Sequence, residues 1–153
     1  MLQHLVGKIW RKLPRIVRLQ IIRATQTKFT VSVGVVIFDQ TERILLLDHV
    51  LRPKSGWGIP GGFINADEQP EDAVHREIFE ETGLELENVK LWRVRTNKNH
   101  VELIYFATSK GIAEVKSREI VEVKWFESNE LPKEMPFSQK QIINEVLKFT
   151  GRL

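Results

Sequence analysis

Glu77, Glu80 and Glu81 stand at spacings i, i+3 and i+4, with a single nearby cation, Arg76. On a helix those positions share one face, so three like charges repel there. A solvated acidic face is one reading of the cluster. The other is a site for a hard divalent cation, because Mg²⁺ and Mn²⁺ prefer carboxylate oxygen. Gly61 and Gly62 lie just upstream, and a glycine turn lets backbone approach an ion or a phosphate closely. Arg52 and Lys54 precede the glycines and could meet phosphate oxygens. Trp57, Phe29 and Tyr105 could stack on a flat ring of a ligand, or each could fill core.

The acidic residues need a helix to place them. Pro70 suits the first helical position, after Gln69 as a modest cap. Glu71 and Asp72 favour the positive end of the helix dipole. Gly83 suits the position just past the end. The sequence thus predicts a helix over 70–82, buried through Ala73, Val74 and Ile78. Residues 29–39 and 42–50 read as paired strands joined through Asp39, Gln40 and Thr41. Both are almost continuously apolar, so both should be covered on two faces. Arg52–Gly62 reads as a loop from its glycine and proline content. Further strands are expected in "NVKLWRVRT", "HVELIYFATS" and "IVEVKWFE", and a helix over residues 138–149. Alternating strands and helices argue for an α/β fold, a sheet covered by helices.

The chain of 153 residues carries a net charge of +3 and no cysteine. That length suits one main domain. Absence of cysteine excludes a disulfide framework and agrees with a reducing compartment, so a cytoplasmic location is expected. No apolar run reaches the ~18 residues of a membrane span. The charge is uneven. Residues 1–28 hold Lys8, Arg11, Lys12, Arg15, Arg18, Arg23 and Lys28 and no acid, so the remainder carries a net −4 against the chain's +3. Leu2, Leu5, Val6, Ile9, Leu13, Ile16 and Val17 follow helical spacing, which Pro14 interrupts. Residues 1–27 therefore read as a basic, amphipathic helical extension ahead of a domain over 28–153. Its apolar stripe, Leu5, Ile9, Leu13, Ile16 and Val17, is expected to pack in a homodimer. Contact with an anionic membrane surface is the alternative. One aromatic residue, Trp10, among many cations gives no expectation of nucleic-acid binding. A secretory signal lacks its apolar stretch here, and a transit peptide lacks its serines.

The stretch from Gly62 to Leu84 resembles the Nudix hydrolase signature, G-x5-E-x7-R-E-U-x-E-E-x-G-U, where U is bulky and aliphatic. Gly62, Glu68, Arg76, Glu77, Ile78, Glu80, Glu81, Gly83 and Leu84 all match. The fixed identities agree by chance with a probability of about 10⁻⁹ per start position. "WGIPGG" and "EVKWFESNELP" also resemble the family, so the likeness covers residues 28–150. It implies the Nudix fold, a mixed β-sheet sandwiched between helices. It also implies Mg²⁺-dependent hydrolysis, with Mn²⁺ as substitute, of a nucleoside diphosphate linked to a further group. By the same resemblance Glu77, Glu80 and Glu81, with the Gly61 carbonyl, would hold the metal, and Arg76 would tie to Glu68. A glutamate in the loop before the late strand would be the general base. Glu119 is favoured, with Glu122 or a signature glutamate as alternatives.

Phe63 follows the glycine pair, where enzymes that act on oxidised nucleoside triphosphates commonly carry lysine. The form resembles branches that cleave ADP-ribose or nucleotide sugars. Arg52, Lys54, Trp57, Phe63 and Tyr105 are the expected substrate contacts. A MutT-like nucleoside triphosphate pyrophosphohydrolase is the alternative, followed by a non-catalytic nucleotide-binding module of the same fold. Such modules typically lose signature carboxylates, and this chain keeps them all.

Overall fold

The computed structural model describes residues 2–52 and 55–152, and the side chains of all of these except residues 2, 3 and 5. Two helices come first, α1 (Leu2–Lys12) and α2 (Arg15–Thr25), separated at Pro14. Leu13 and Pro14 lie between the two helices. Neither helix is absorbed into the domain. Ile9, Ile16 and Ile22 remain exposed, and no residue of α2 is buried. The Leu5 side chain lies outside the described residues. No helix among the described residues is long and apolar enough to cross a membrane.

The sheet is mixed. Strands β1 (Thr30–Phe38) and β2 (Ile44–His49) form an antiparallel hairpin. The turn is held by Asp39, whose carboxylate accepts from the Thr41 and Arg43 amides at 2.8 and 2.9 Å. Both strands are buried over most of their length, as their apolar runs require. β1 runs parallel to β6 (His100–Lys110), which pairs antiparallel with β5 (Glu85–Asn97). β7 (Ile120–Phe126) joins the outer side of β2.

The segment expected as a loop, Arg52–Gly62, contains two short strands instead. β3 (Trp57–Gly58) pairs with β2, and β4 (Gly61–Phe63) pairs with the first half of β1. Glycine is a poor strand former, yet here it is needed. A side chain at Gly61 would collide with the Val33 carbonyl, and its φ of +151° disfavours any other residue. A side chain at Gly62 would strike the Glu77 carboxyl.

Helix α3 (Pro70–Thr82) covers one face of the sheet, and α4 (Phe137–Thr150) the other. Under α3 pack Val35, Ile37, Leu45, Leu47, Ala73, Val74 and Ile78. Under α4 pack Val36, Phe38, Ile44, Leu46, Ile142, Ile143 and Val146. The alternation along β1 and β2 sends odd residues to α3 and even residues to α4, as the strand period of two demands. α3 begins at Pro70 and ends at Gly83, whose φ is +72° and whose amide donates to Phe79 O at 2.9 Å. Gln69 caps it only through its backbone carbonyl, which accepts from Ala73 at 3.0 Å; its side chain makes no cap bond.

Candidate active site

The last turns of α3 meet β4 and the loop that follows it. Arg76 is the hub. Its Nε and Nη2 donate to the two oxygens of Glu68 at 2.6 and 2.9 Å, a bidentate pair. Nη2 also reaches the Phe63 carbonyl at 3.2 Å, and Glu68 accepts from the Asn65 amide at 2.8 Å. Helix and loop are thereby fastened to each other. The Arg76 guanidinium and the Asn65 amide hold the Glu68 carboxyl well below its ordinary range, at about 2.

Arg76 Nη1 bonds Glu77 at 2.8 Å and Glu80 at 3.2 Å. These bonds separate the three acids into two environments. Glu80 is largely exposed beside the arginine. Glu81 is buried, 7% exposed, and one of its oxygens, Oε2, has no hydrogen-bond partner. Burial and the charge of Glu77 push the Glu81 carboxyl up to about 7, and Glu119 adds to the push. Arg52 and the Gly61 amide pull it down without offsetting the burial.

These residues fit a divalent cation by their chemistry. A buried carboxylate oxygen left without a partner costs free energy that a hard cation would recover. As the side chains stand, no three acidic or histidine side chains among the described residues are close enough together to hold an ion. The Arg76 bonds to Glu77 and Glu80 account for this, because they draw both carboxylates toward the guanidinium.

Arg52 approaches from the other side. Its Nη2 donates to the Ile59 carbonyl at 3.1 Å, while Nη1 is buried without a partner. The absent side chain of Gly58 makes room for that guanidinium. Burial lowers the Arg52 pKa, against the attraction of Glu81 and Glu102. His49 lies nearby; burial, then the Arg52 charge, lowers it to about 4.

A cavity of about 190 Å³ opens beside β4, lined by Ser32, Arg52, Gly61, Phe63, His100 and Glu102 among others. The Phe63 ring is 63% exposed and stands edge-on to His100, with centroids 5.9 Å apart. His100 is fixed by the hydroxyls of Thr30 and Ser32 at 2.8 and 2.9 Å. Glu102 pairs with Arg95. A neighbouring recess of about 340 Å³, lined by Arg95, Thr96, Asn97 and Ser138, shares His100 and Glu102 with it.

Of the expected substrate contacts, the fold brings Arg52 and Phe63 to this cavity. Lys54 lies outside the described residues. Trp57 packs edge-on against Phe126 at 5.1 Å, within the hydrophobic layer under α4. Tyr105 belongs to the core under α3, 5% exposed, and borders a different hollow with Glu71 and His75. Strand parity accounts for this placement: His100 and Glu102 point to the α4 side of β6, so Tyr105 points to the other. Of the candidate bases outside the signature, Glu119 acts on Glu81 through its charge. Glu122 sits on β7, paired with Asp48. His100, Glu102 and Gln139, whose Oε1 accepts from the Ile59 amide at 2.8 Å, carried no local sequence signal.

The fold thus sets an acidic helix, α3, against a glycine-rich strand, β4. The chain belongs to the Nudix hydrolases: the family model described as the NUDIX domain matches residues 28–146. A MutT-like protein of Streptomyces ambofaciens is 34% identical over 69% of this chain and 69% of its own length. An ADP-ribose pyrophosphatase of Methanocaldococcus jannaschii is 33% identical over 74% of this chain and 70% of its own. The crystal structure of a MutT NUDIX hydrolase from Burkholderia pseudomallei superposes with a TM-score of 0.68 at 30% identity, over 78% of this chain and 98% of that one. Nudix hydrolases generally use divalent metals such as Mg²⁺.

Proposed function

We propose that this chain hydrolyses the diphosphate bond of a nucleoside diphosphate linked to a further group, of the ADP-ribose or nucleotide-sugar type, with Mg²⁺ or Mn²⁺. The observation that carries the reading is Glu81: a buried carboxylate with one unpartnered oxygen, under the charges of Glu77, Arg52 and Glu119. Glu77, Glu81 and the Gly61 carbonyl would hold the ion, joined by Glu80 when it leaves Arg76. A divalent ion held there would supply charge neutralisation for the diphosphate and a lowered pKa for the attacking water.

The remaining roles fall to the chain itself. Arg52 Nη1 binds a phosphate oxygen, a charge-assisted bond that satisfies its buried donor. Glu119 accepts the proton of the attacking water. Arg76 and Glu68 keep the loop and helix in register. Phe63 offers an exposed ring face to a base. Attack at one phosphorus breaks the anhydride bridge and releases two phosphate monoesters.

The ADP-ribose side of this reading is supported by the archaeal relative and by Phe63 in place of a lysine. A MutT-like nucleoside triphosphate pyrophosphohydrolase is the second reading, supported by the Streptomyces relative. The products separate them: ADP-ribose gives two monoesters, whereas a triphosphate gives a nucleoside monophosphate and pyrophosphate. A substrate panel with Mg²⁺ or with EDTA is the test.

A further inference from the structure

No residue of the first two helices lines the two cavities described above, yet both helices expose large apolar side chains. Val6 is 56% exposed, Ile9 54% and Ile16 70%; Val17, Leu19, Ile21 and Ile22 are exposed as well. On α1 the helical repeat sets Val6, Ile9 and Trp10 on one side and His4, Lys8 and Arg11 on the other. On α2 the apolar residues run around most of the helix, between Arg15, Arg18 and Arg23. Large exposed apolar patches on folded proteins mark surfaces that another body covers.

Charge says what covers it. No acid occurs in residues 1–28, and no ion pair among the described residues involves a cation of the two helices. A second copy docking helix to helix would set six cations against six, with no acid to compensate. The domain carries the net negative charge, but it buries no residue of α2. An anionic surface that is also apolar just below satisfies both features at once. Basic helices with an aromatic residue at the apolar edge lie in such an interface.

We propose that α1 and α2 dock this hydrolase on an anionic phospholipid bilayer surface, apolar side chains inserted at the headgroup boundary and cations against the lipid phosphates. The docking is peripheral and electrostatic, so it weakens as salt rises.

The test is flotation of the full chain with vesicles of phosphatidylcholine alone, or with about one-quarter phosphatidylserine. Two variants accompany it: Lys8→Gln/Arg11→Gln/Lys12→Gln, and Val6→Gln/Ile9→Gln. Both should keep wild-type hydrolysis within about twofold, which certifies a folded domain. The expected result is binding to anionic vesicles at least about tenfold tighter than to neutral ones. Both variants should lose it, and about 0.5 M NaCl should release it. Equal binding to neutral vesicles, or undiminished binding by the charge variant, overturns the proposal. So does absence of vesicle binding by a chain that sediments as a dimer through these helices. Tighter binding to a nucleic-acid duplex than to the anionic vesicles overturns it too.

Discussion

Replacing Glu81 by glutamine should remove a pH dependence from the stability of the metal-free protein. In the unfolded chain this carboxyl titrates near 4.5; in the fold, burial and Glu77 raise it to about 7. A group whose folded pKa is raised favours the protonated fold. Its stabilisation is complete below pH 4.5 and is lost as pH rises through 7. The separation of the two values corresponds to about 3 kcal/mol by pH 9, an upper bound because the site can relax. For a chain of this size each kcal/mol moves Tm by about 2–4 °C. The difference in Tm, variant minus wild type in EDTA, should therefore grow by about 5–10 °C between pH 5 and pH 9, most of it below pH 7, because the loss accrues between the unfolded and folded values. The new amide brings its own cost of about 1–3 kcal/mol where Oε2 lacks a partner, but that cost is the same at every pH. His49, lowered to about 4, titrates in both proteins and cancels in the difference. Differential scanning calorimetry of the two proteins decides the matter. A Tm difference that stays flat from pH 5 to pH 9 would refute the claim that Glu81 is a buried, uncompensated acid.

Millimolar Mg²⁺ should raise the Tm of the wild type, more at pH 8 than at pH 6, because the ligand must be deprotonated; calorimetry of Glu81→Gln should show little shift. Glu119→Gln should lower kcat by about 10²–10⁴-fold with KM nearly unchanged, as steady-state kinetics would report. Arg52→Ala should cost about 1.5–3 kcal/mol in kcat/KM, through loss of a phosphate contact. Gly62→Ala should destabilise by about 1–3 kcal/mol in denaturant unfolding, since its methyl group meets the Glu77 carboxyl.

Much of the positioning was legible. Pro70 and Gly83 bracket α3 because one lacks an amide and the other tolerates a left-handed backbone, and both facts are local. The apolar runs of β1 and β2 announce strands buried on two faces. What was not legible depends on contacts across the chain. β3 and β4 hid in a glycine-rich segment because their strand character comes from pairing with β2 and β1, not from side-chain propensity. Glu77, Glu80 and Glu81 look equivalent by spacing. Only the packing shows that Arg76 holds one in the open while Glu81 turns inward. The cavity is assembled from β1, β4, β6 and α4, so His100, Glu102 and Gln139 share no local motif. Tyr105 holds an odd position on β6, which places it opposite His100 and Glu102.

The central claim is tested most directly by following products when the purified full chain meets ADP-ribose with Mg²⁺. The account predicts AMP and ribose 5-phosphate in equal amounts, no turnover in EDTA, and a loss in Glu81→Gln well beyond the tenfold that about 1.4 kcal/mol represents. Undiminished turnover in EDTA, or by Glu81→Gln, would contradict it. So would inertness toward ADP-ribose and nucleotide sugars alongside release of pyrophosphate from nucleoside triphosphates.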